Sequence, residues 1–249
     1  VIVSATVVIA IDGPAASGKG TLAKRLAAHY GYAHLDTGLL YRAVARRLLR
    51  AGRDPNDQDA AAAAAAEVGW GDLDDPMLRS EETSRAAGVV AAHRRVRAAL
   101  VDLQRSFAIS PPGGAKGVVI DGRDIGTVIC PDATYKIFVE ASPAVRANRR
   151  LKELQGRGEE SIHSRVLRDM EERDARDRTR AVAPLVPAPD ALILDTTALD
   201  ADAAFAAALA FIASRDESGS ARARFRSAKN RANGRNGRQG PSSGHDETS

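Results

Sequence analysis

The chain has 249 residues, 44% of them apolar, and a formal net charge of +4; that is enough for one α/β domain of ordinary size with a small inserted lobe. The single cysteine, Cys130, excludes an internal disulfide framework. No run of 18 apolar residues is present, so no membrane-spanning helix is expected. The charge is uneven: 215–249 holds 8 basic and 4 acidic residues, leaving 28 of each in 1–214. The basic pI near 9.4 therefore belongs to the tail, and arginines elsewhere need local explanations.

Val7–Ile11 is a β-branched run ending in Asp12-Gly13 and reads as a buried parallel strand, so the apolar start is taken as strand and not leader. A helix is expected over 19–30, with Leu22 and Leu26 one turn apart, and a short strand over 33–35. Thr37 is placed to cap a helix running to about Arg50, and Asp54-Pro55 to open another, the alanines at 60–66 forming its body. Residues 69–79 are turn-rich, and helical patterns return over 81–91 and 96–107. Ser110-Pro111-Pro112-Gly113-Gly114 is a loop, and 117–120 a buried strand ending in Asp121-Gly122. A strand over 135–139, a helix opened by Pro143, a loop at Gly156-Arg157-Gly158 and a charged helix over 162–178 follow. The last strand is expected at 191–194 and the last helix at 201–214.

Alternating strands and helices imply a parallel sheet covered on both faces. The helical stretch between the strands at 33–35 and 117–120 is too long for a plain crossover and is expected to form a lobe. After 214 the composition turns to Arg, Ser, Asn and Gly with almost nothing apolar, which reads as a disordered basic tail over 215–249.

Gly13-Pro14-Ala15-Ala16-Ser17-Gly18-Lys19-Gly20-Thr21 fits a phosphate loop, strand before and helix after. Its glycines let successive N–H groups turn toward phosphate oxygens, Lys19 adds a point charge, and the helix start adds its dipole. Gly20 stands where a hydroxyl residue usually binds Mg²⁺; Thr21 is the neighbouring hydroxyl. Asp121 at a strand end is placed to orient Mg²⁺ through water. A guanine-reading Asn/Lys-x-x-Asp strand end is absent, which argues against a GTPase. Arginines at 42, 97, 123, 173, 176, 178 and 180 form a cationic set suited to transfer between two anions. Arg173, Asp177 and Arg180 share one helix face by spacing, a pattern that a solvated surface of ion pairs explains equally well. The five histidines carry no motif, and His93 and His163 read as solvated helix residues.

Four segments together resemble the bacterial cytidylate kinase family. They are Ile11-Asp12-Gly13-Pro14 with Gly18-Lys19-Gly20-Thr21; Leu35-Asp36-Thr37-Gly38 with Tyr41-Arg42; Asp121 through Thr127; and Glu172-Arg173-Asp174 with Arg176-Asp177-Arg178 and Arg180 through Leu185. The resemblance covers about 7–214 and implies an α/β P-loop nucleoside monophosphate kinase fold. That fold has a core at about 1–35, 111–155 and 181–214, a helical acceptor lobe at about 36–110 and a short lid at about 156–180. It implies transfer of the γ-phosphoryl group of ATP to CMP or dCMP with Mg²⁺, in a cytoplasmic monomer that binds no specific nucleic acid. Gly13 to Thr21, with Arg157, would hold ATP; Arg42 and Arg123 the acceptor phosphate; Thr37 and Tyr41 would line the acceptor pocket. Arg97 and Asp124 would read cytosine, and Arg173, Asp177 and Arg180 would close over sugar and phosphates. Lys19, Arg42, Arg123, Asp121 and Arg180 form the implied catalytic set. Asp124 accepts only and suits the cytosine amine, while Arg97 donates only and suits N3 and O2; uracil would oppose Asp124 with a second acceptor. The chain departs from the pattern at Gly88, where a small hydroxyl residue is usual, and in a shortened insert around 69–85. A different small-molecule P-loop kinase, such as one for shikimate, and a nucleic-acid-binding protein driven by the tail are the competing readings.

Overall fold

The computed structural model describes residues 6–216. The chain divides into two compact units, Val1–Ala208 and Leu209–Ser249. Of the second, 209–216 are described and are helical; the rest of the tail expected from 215 onward lies outside the described residues.

The first unit is built on five strands: β1 (Val7–Asp12), β2 (Ala33–Asp36), β3 (Gly117–Gly122), β4 (Tyr135–Glu140) and β5 (Leu192–Asp195). All pair in parallel, in the order β2-β3-β1-β4-β5. β3 is buried at all six positions, which explains its unbroken apolar run. Register sets Asp36 beside Asp121 and Asp12 beside Gly122, so three strands deliver acids to one carboxyl edge of the sheet. α1 (Lys19–Tyr30) packs on β1, β2 and β3, and α6 (Pro143–Gln155) is opened by Pro143 with Ser142 capping Val145 N, as Pro at the first turn predicts. α7 (His163–Thr179) packs back on α6 across a turn in which Gly158 has φ +76°.

Between β2 and β3 lie α2 (Gly38–Arg50), α3 (Gln58–Ala66), α4 (Glu81–Val90) and α5 (Arg94–Ile109). They share an apolar cluster of their own, centred on Leu40, Val44, Leu78, Val90, Val96 and Leu100. The sheet's cluster is a different one, built on Ala10, Leu35, Val118, Ile120 and Ile125. Each of these large aliphatic side chains contributes about 1.5–3 kcal/mol through its burial.

Several local expectations change. Asp54 makes a turn with Asn56, and α3 starts four residues later, where Asp57 accepts from the N–H groups of Asp59 and Ala60. Thr37 sits at the α2 cap position, yet its hydroxyl donates to the Asp121 carbonyl at 2.9 Å, and the carboxylate of Asp36 takes Gly38 N. The shortened insert is two single 3-10 turns, Trp70–Asp74 and Pro76–Arg79. His93 is no solvated helix residue: it precedes α5, and Nε2 lies 2.9 Å from the Pro55 carbonyl. A π turn at Ile125–Ile129 left no mark in the periodicity; the backbone there bends to bring Ile125 N and Gly126 N onto the two carboxylate oxygens of Asp12, each at 2.8 Å.

Candidate active site

The loop after β1 turns tightly enough that Ala16 has φ +56° and Gly18 φ +93°. A Cβ at Gly13 would lie 2.1 Å from the Val139 carbonyl, so only glycine lets this backbone pass β4. Gly18 caps α1 without a side chain, so the first N–H groups of that helix are left for an external acceptor. The loop's carbonyls are held from behind: Arg146 Nη1 donates to Ala15 O at 3.4 Å, Arg149 Nη1 to Ser17 O at 3.3 Å and Thr196 Oγ1 to Ser17 O at 2.9 Å. None of these three residues was singled out from the sequence. The signal available for two of them was the cluster of arginines on α6 at 146, 149 and 150.

A cavity of about 270 Å³ opens at the loop. It brings together the sequence-predicted Lys19, Thr21, Arg42, Asp121, Arg123, Arg157 and Arg173. Burial lowers the Lys19 ammonium to about 8, with the cationic Arg123 pushing the same way. Burial and then Arg123 bring Arg173 down to about 10, and burial lowers Arg42 as well. Cations crowded and desolvated like this are stabilised by anions that enter among them. Arg79, Arg150 and His34 also line the cavity and went unrecognised in the sequence; Asp36, part of a recognised motif but with no role assigned from the sequence, lines it as well. His34 Nε2 lies 2.8 Å from Asp121 Oδ1; β2 and β3 place the two side chains on the same sheet face, a pairing visible only once register is known.

The second carboxylate oxygen of Asp121 lies 3.8 Å from where a Cβ at Gly20 would stand. Among the described residues no group of three or more His, Cys, Asp or Glu could hold a metal ion alone. One buried carboxylate and one hydroxyl, Asp121 and Thr21, fit a cation held chiefly by phosphates and water, which is the usual way Mg²⁺ is bound.

Beyond the cavity runs a buried ionic network. Arg97 Nη2 contacts Asp124 Oδ2, both side chains only 6% exposed, and the Arg97 guanidinium lies 5.5 Å from the Tyr41 ring centroid. Asp124 Oδ1 is 4.0 Å from Arg180, whose Nη1 is 3.6 Å from Asp177. Asp177 Oδ2 accepts from Arg123 Nε at 3.0 Å. Arg97 and Asp124, expected to face a ligand, face each other. Arg173 Nε and Arg180 Nη2 are buried and make no hydrogen bond among the described residues, although Arg180 Nη2 is the atom 4.0 Å from Asp124 Oδ1. Thr37, also expected to line a pocket, is 3% exposed and engaged with Asp121. The network is anchored from below by Asp12, which burial raises to about 6 against the lowering effect of its two backbone donors.

Two further cavities share walls with the first. One of about 750 Å³ lies among residues of α4, α6 and α7, and includes Gly88, Arg173 and Arg176. The other, about 360 Å³, lies across the loop, with Leu22, Val139, Leu199 and Ala204 as apolar lining and Arg149 and Thr196 at its edge. The arrangement is a cationic centre with room for a larger group on either side.

The cytidylate kinase family model matches residues 9–214. A cytidylate kinase of Methylocella silvestris is 60% identical over 211 residues, which cover 85% of this chain and 96% of that protein. One of Paramagnetospirillum magneticum is 61% identical over 208 residues, 84% of this chain and 98% of that protein. One of Xanthobacter autotrophicus is 60% identical, again over 84% and 98%. With a phosphate loop on a five-stranded parallel sheet and a helical insertion after β2, the chain belongs to the cytidylate kinase family, whose members are phosphotransferases.

Proposed function

We propose that the protein transfers the γ-phosphoryl group of ATP to CMP or dCMP, giving ADP and CDP or dCDP. The observation that carries this reading is the desolvated cluster of Lys19, Arg42, Arg123 and Arg173 around one small cavity with a larger one on each side. Two mutually repelling anions need that charge density to meet. The triphosphate lies on Gly13 to Thr21 with its base in the apolar cavity beside Leu22 and Leu199, Arg149 at the edge. The acceptor has its phosphate between Arg42, Arg123 and Arg173 at the central cavity and its base on the side of Arg97 and Asp124. The helical lobe over 36–110 carries it, and 156–180, with Arg157, acts as the lid.

The acceptor phosphate oxygen is anionic near neutral pH and attacks the γ-phosphorus in line; the bond to the β-phosphate oxygen breaks, and no base has to remove a proton. Lys19 and Arg180 neutralise charge as it spreads over the transferring group, while Arg42 and Arg123 hold the attacking oxygen in line. Asp121 and Thr21 would hold Mg²⁺ through water, and the ion would supply charge neutralisation to the triphosphate. Opening of the Arg97–Asp124 pair frees a donor for N3 and O2 and an acceptor for the cytosine amine. The single cysteine and the absence, among the described residues, of a helix long and apolar enough to cross a membrane fit a cytoplasmic setting.

Arg173→Ala and Arg123→Ala test the placement of the acceptor. Each should reduce turnover with CMP by at least about 100-fold, the scale for one charge-stabilising donor, while a fluorescent ATP analogue still binds. Normal CMP turnover in either variant would contradict it.

A further inference from the structure

α6 touches both the phosphate loop and α7 through one side chain. Arg146 is 2% exposed. Its Nε donates to Ala141 O at 2.9 Å, Nη1 to Ala15 O at 3.4 Å, and Nη2 pairs with Asp174 Oδ2 at 2.6 Å. Ala15 and Ala16, the tip of the loop, pack against the apolar cluster of Ala147, Leu154, Val166 and Met170 between α6 and α7. Asp174 follows Arg173 directly, and α7 continues to Asp177 at its carboxyl end, with Arg180 just beyond. One guanidinium thus joins the backbone of the triphosphate loop to the helix that presents Arg173.

The pair is poorly arranged for stability alone. Asp174 Oδ1 is buried with no hydrogen-bond partner, and so is Nε of Arg173, the preceding residue. A buried ion pair with an unmet oxygen stabilises little more than apolar residues of the same shape would. Buried polar atoms left without a hydrogen bond call for an explanation.

We propose that Arg146 and Asp174 are positioning residues that couple the two substrate sites, so that nucleotide on the phosphate loop tightens binding of the monophosphate beside Arg173. The proposal rests on the reading above that a triphosphate and a monophosphate meet at this cavity. The route is short. An anion that engages the loop N–H groups fixes the peptide planes of Ala15 and Ala16. The outward-facing Ala15 carbonyl then fixes Arg146, and Arg146 fixes Asp174 and the turn of α7 that carries Arg173. By linkage the monophosphate tightens the triphosphate by the same factor.

The test is calorimetric titration of CMP into the full chain, with and without a non-hydrolysable ATP analogue and Mg²⁺. The wild type should bind CMP about fivefold or more tighter with the analogue present. In Asp174→Asn the ratio should fall below about twofold, while the affinity without analogue changes less than the ratio does. The double variant Arg146→Met with Asp174→Leu removes both charges together and leaves none unpaired, so it remains measurable where the single variant unfolds; it too should lose the ratio. Asp174→Glu, which keeps the charge, should restore part of it. A merely structural role would shift the melting temperature and leave the ratio intact. A wild-type ratio of one, or a wild-type ratio in the double variant, would overturn the coupling. Failure of CMP to bind the wild type under either condition would overturn the functional reading and the coupling with it.

Discussion

Lys19 gives a pH dependence of definite sign. Burial holds its ammonium at about 8 against 10.5 for an ordinary lysine, and the cationic Arg123 contributes in the same direction. In the free enzyme it is about nine-tenths charged at pH 7 and about one-tenth charged at pH 9. Because kcat/KM reports groups of the free enzyme, kcat/KM for ATP should fall by about tenfold between those pH values. Arg173 at about 10 and Tyr41 at about 12 titrate outside this window. Fold stability should move the opposite way. From about pH 8 to 10.5 the unfolded chain holds the lysine proton and the folded chain does not, so Lys19 contributes up to about 3 kcal/mol of stability gained as pH rises. The assay is steady-state turnover with ATP and CMP both well below saturation, so that the ligand-free enzyme is the form reported, from pH 6.5 to 9.5, for wild type and Lys19→Arg. The arginine keeps its charge throughout, so its lower kcat/KM should be flat above pH 8. A flat wild-type profile, or an alkaline limb retained in Lys19→Arg, would refute the reasoning.

Three other outcomes follow from the same geometry. Gly13→Ala drives a methyl group into the Val139 carbonyl, 2.1 Å away; equilibrium binding should show ATP affinity lost, and thermal melting a lower midpoint. Arg97→Ala and Asp124→Ala each strand a buried charge and should cost about 3–5 kcal/mol in urea unfolding, whereas Arg97→Met with Asp124→Leu should recover most of that loss without recovering activity. Asp12 is raised to about 6 from 3.8 by burial, so its contribution to stability is full below pH 3.8 and is lost as pH rises through 6. Relative to wild type, Asp12→Asn should therefore gain about 2–3 kcal/mol between pH 4 and pH 7 in paired melting curves, on top of a constant loss because the amide can accept from only one of the two backbone N–H donors.

Much of this was legible in the chain because the signals are local. β-branched runs bounded by Asp-Gly mark β1 and β3, and the glycines at 13 and 18 mark the phosphate loop. Lys19, Arg42, Asp121, Arg123 and Arg173 came out of motifs and spacing, and the fold sets them around one cavity. Residues that act through register or through a neighbouring helix stayed hidden. His34 meets Asp121 only because β2 lies in register beside β3, and Arg146 reaches the loop only because α6 passes behind it. Asp12 was read only as the residue that ends the first strand, yet its carboxylate organises the π turn that follows Asp124. The start of α3 was misplaced because Asp54-Pro55 and Asp57 are both plausible caps, and the backbone N–H groups chose Asp57. Thr37 was a capping residue by type, but the Asp121 carbonyl offered its hydroxyl a buried partner.

The central claim is the identity of the acceptor and the part Asp124 takes in choosing it. A coupled ADP-release assay with Mg-ATP and, separately, CMP, dCMP, UMP, AMP and shikimate, on wild type and Asp124→Ala, tests both. The account predicts turnover with CMP and dCMP, with kcat/KM for UMP lower by about 10-fold or more, and loss of that preference in Asp124→Ala. Preferred turnover of AMP, UMP or shikimate by the wild type, or an unchanged cytosine preference in Asp124→Ala, would contradict it.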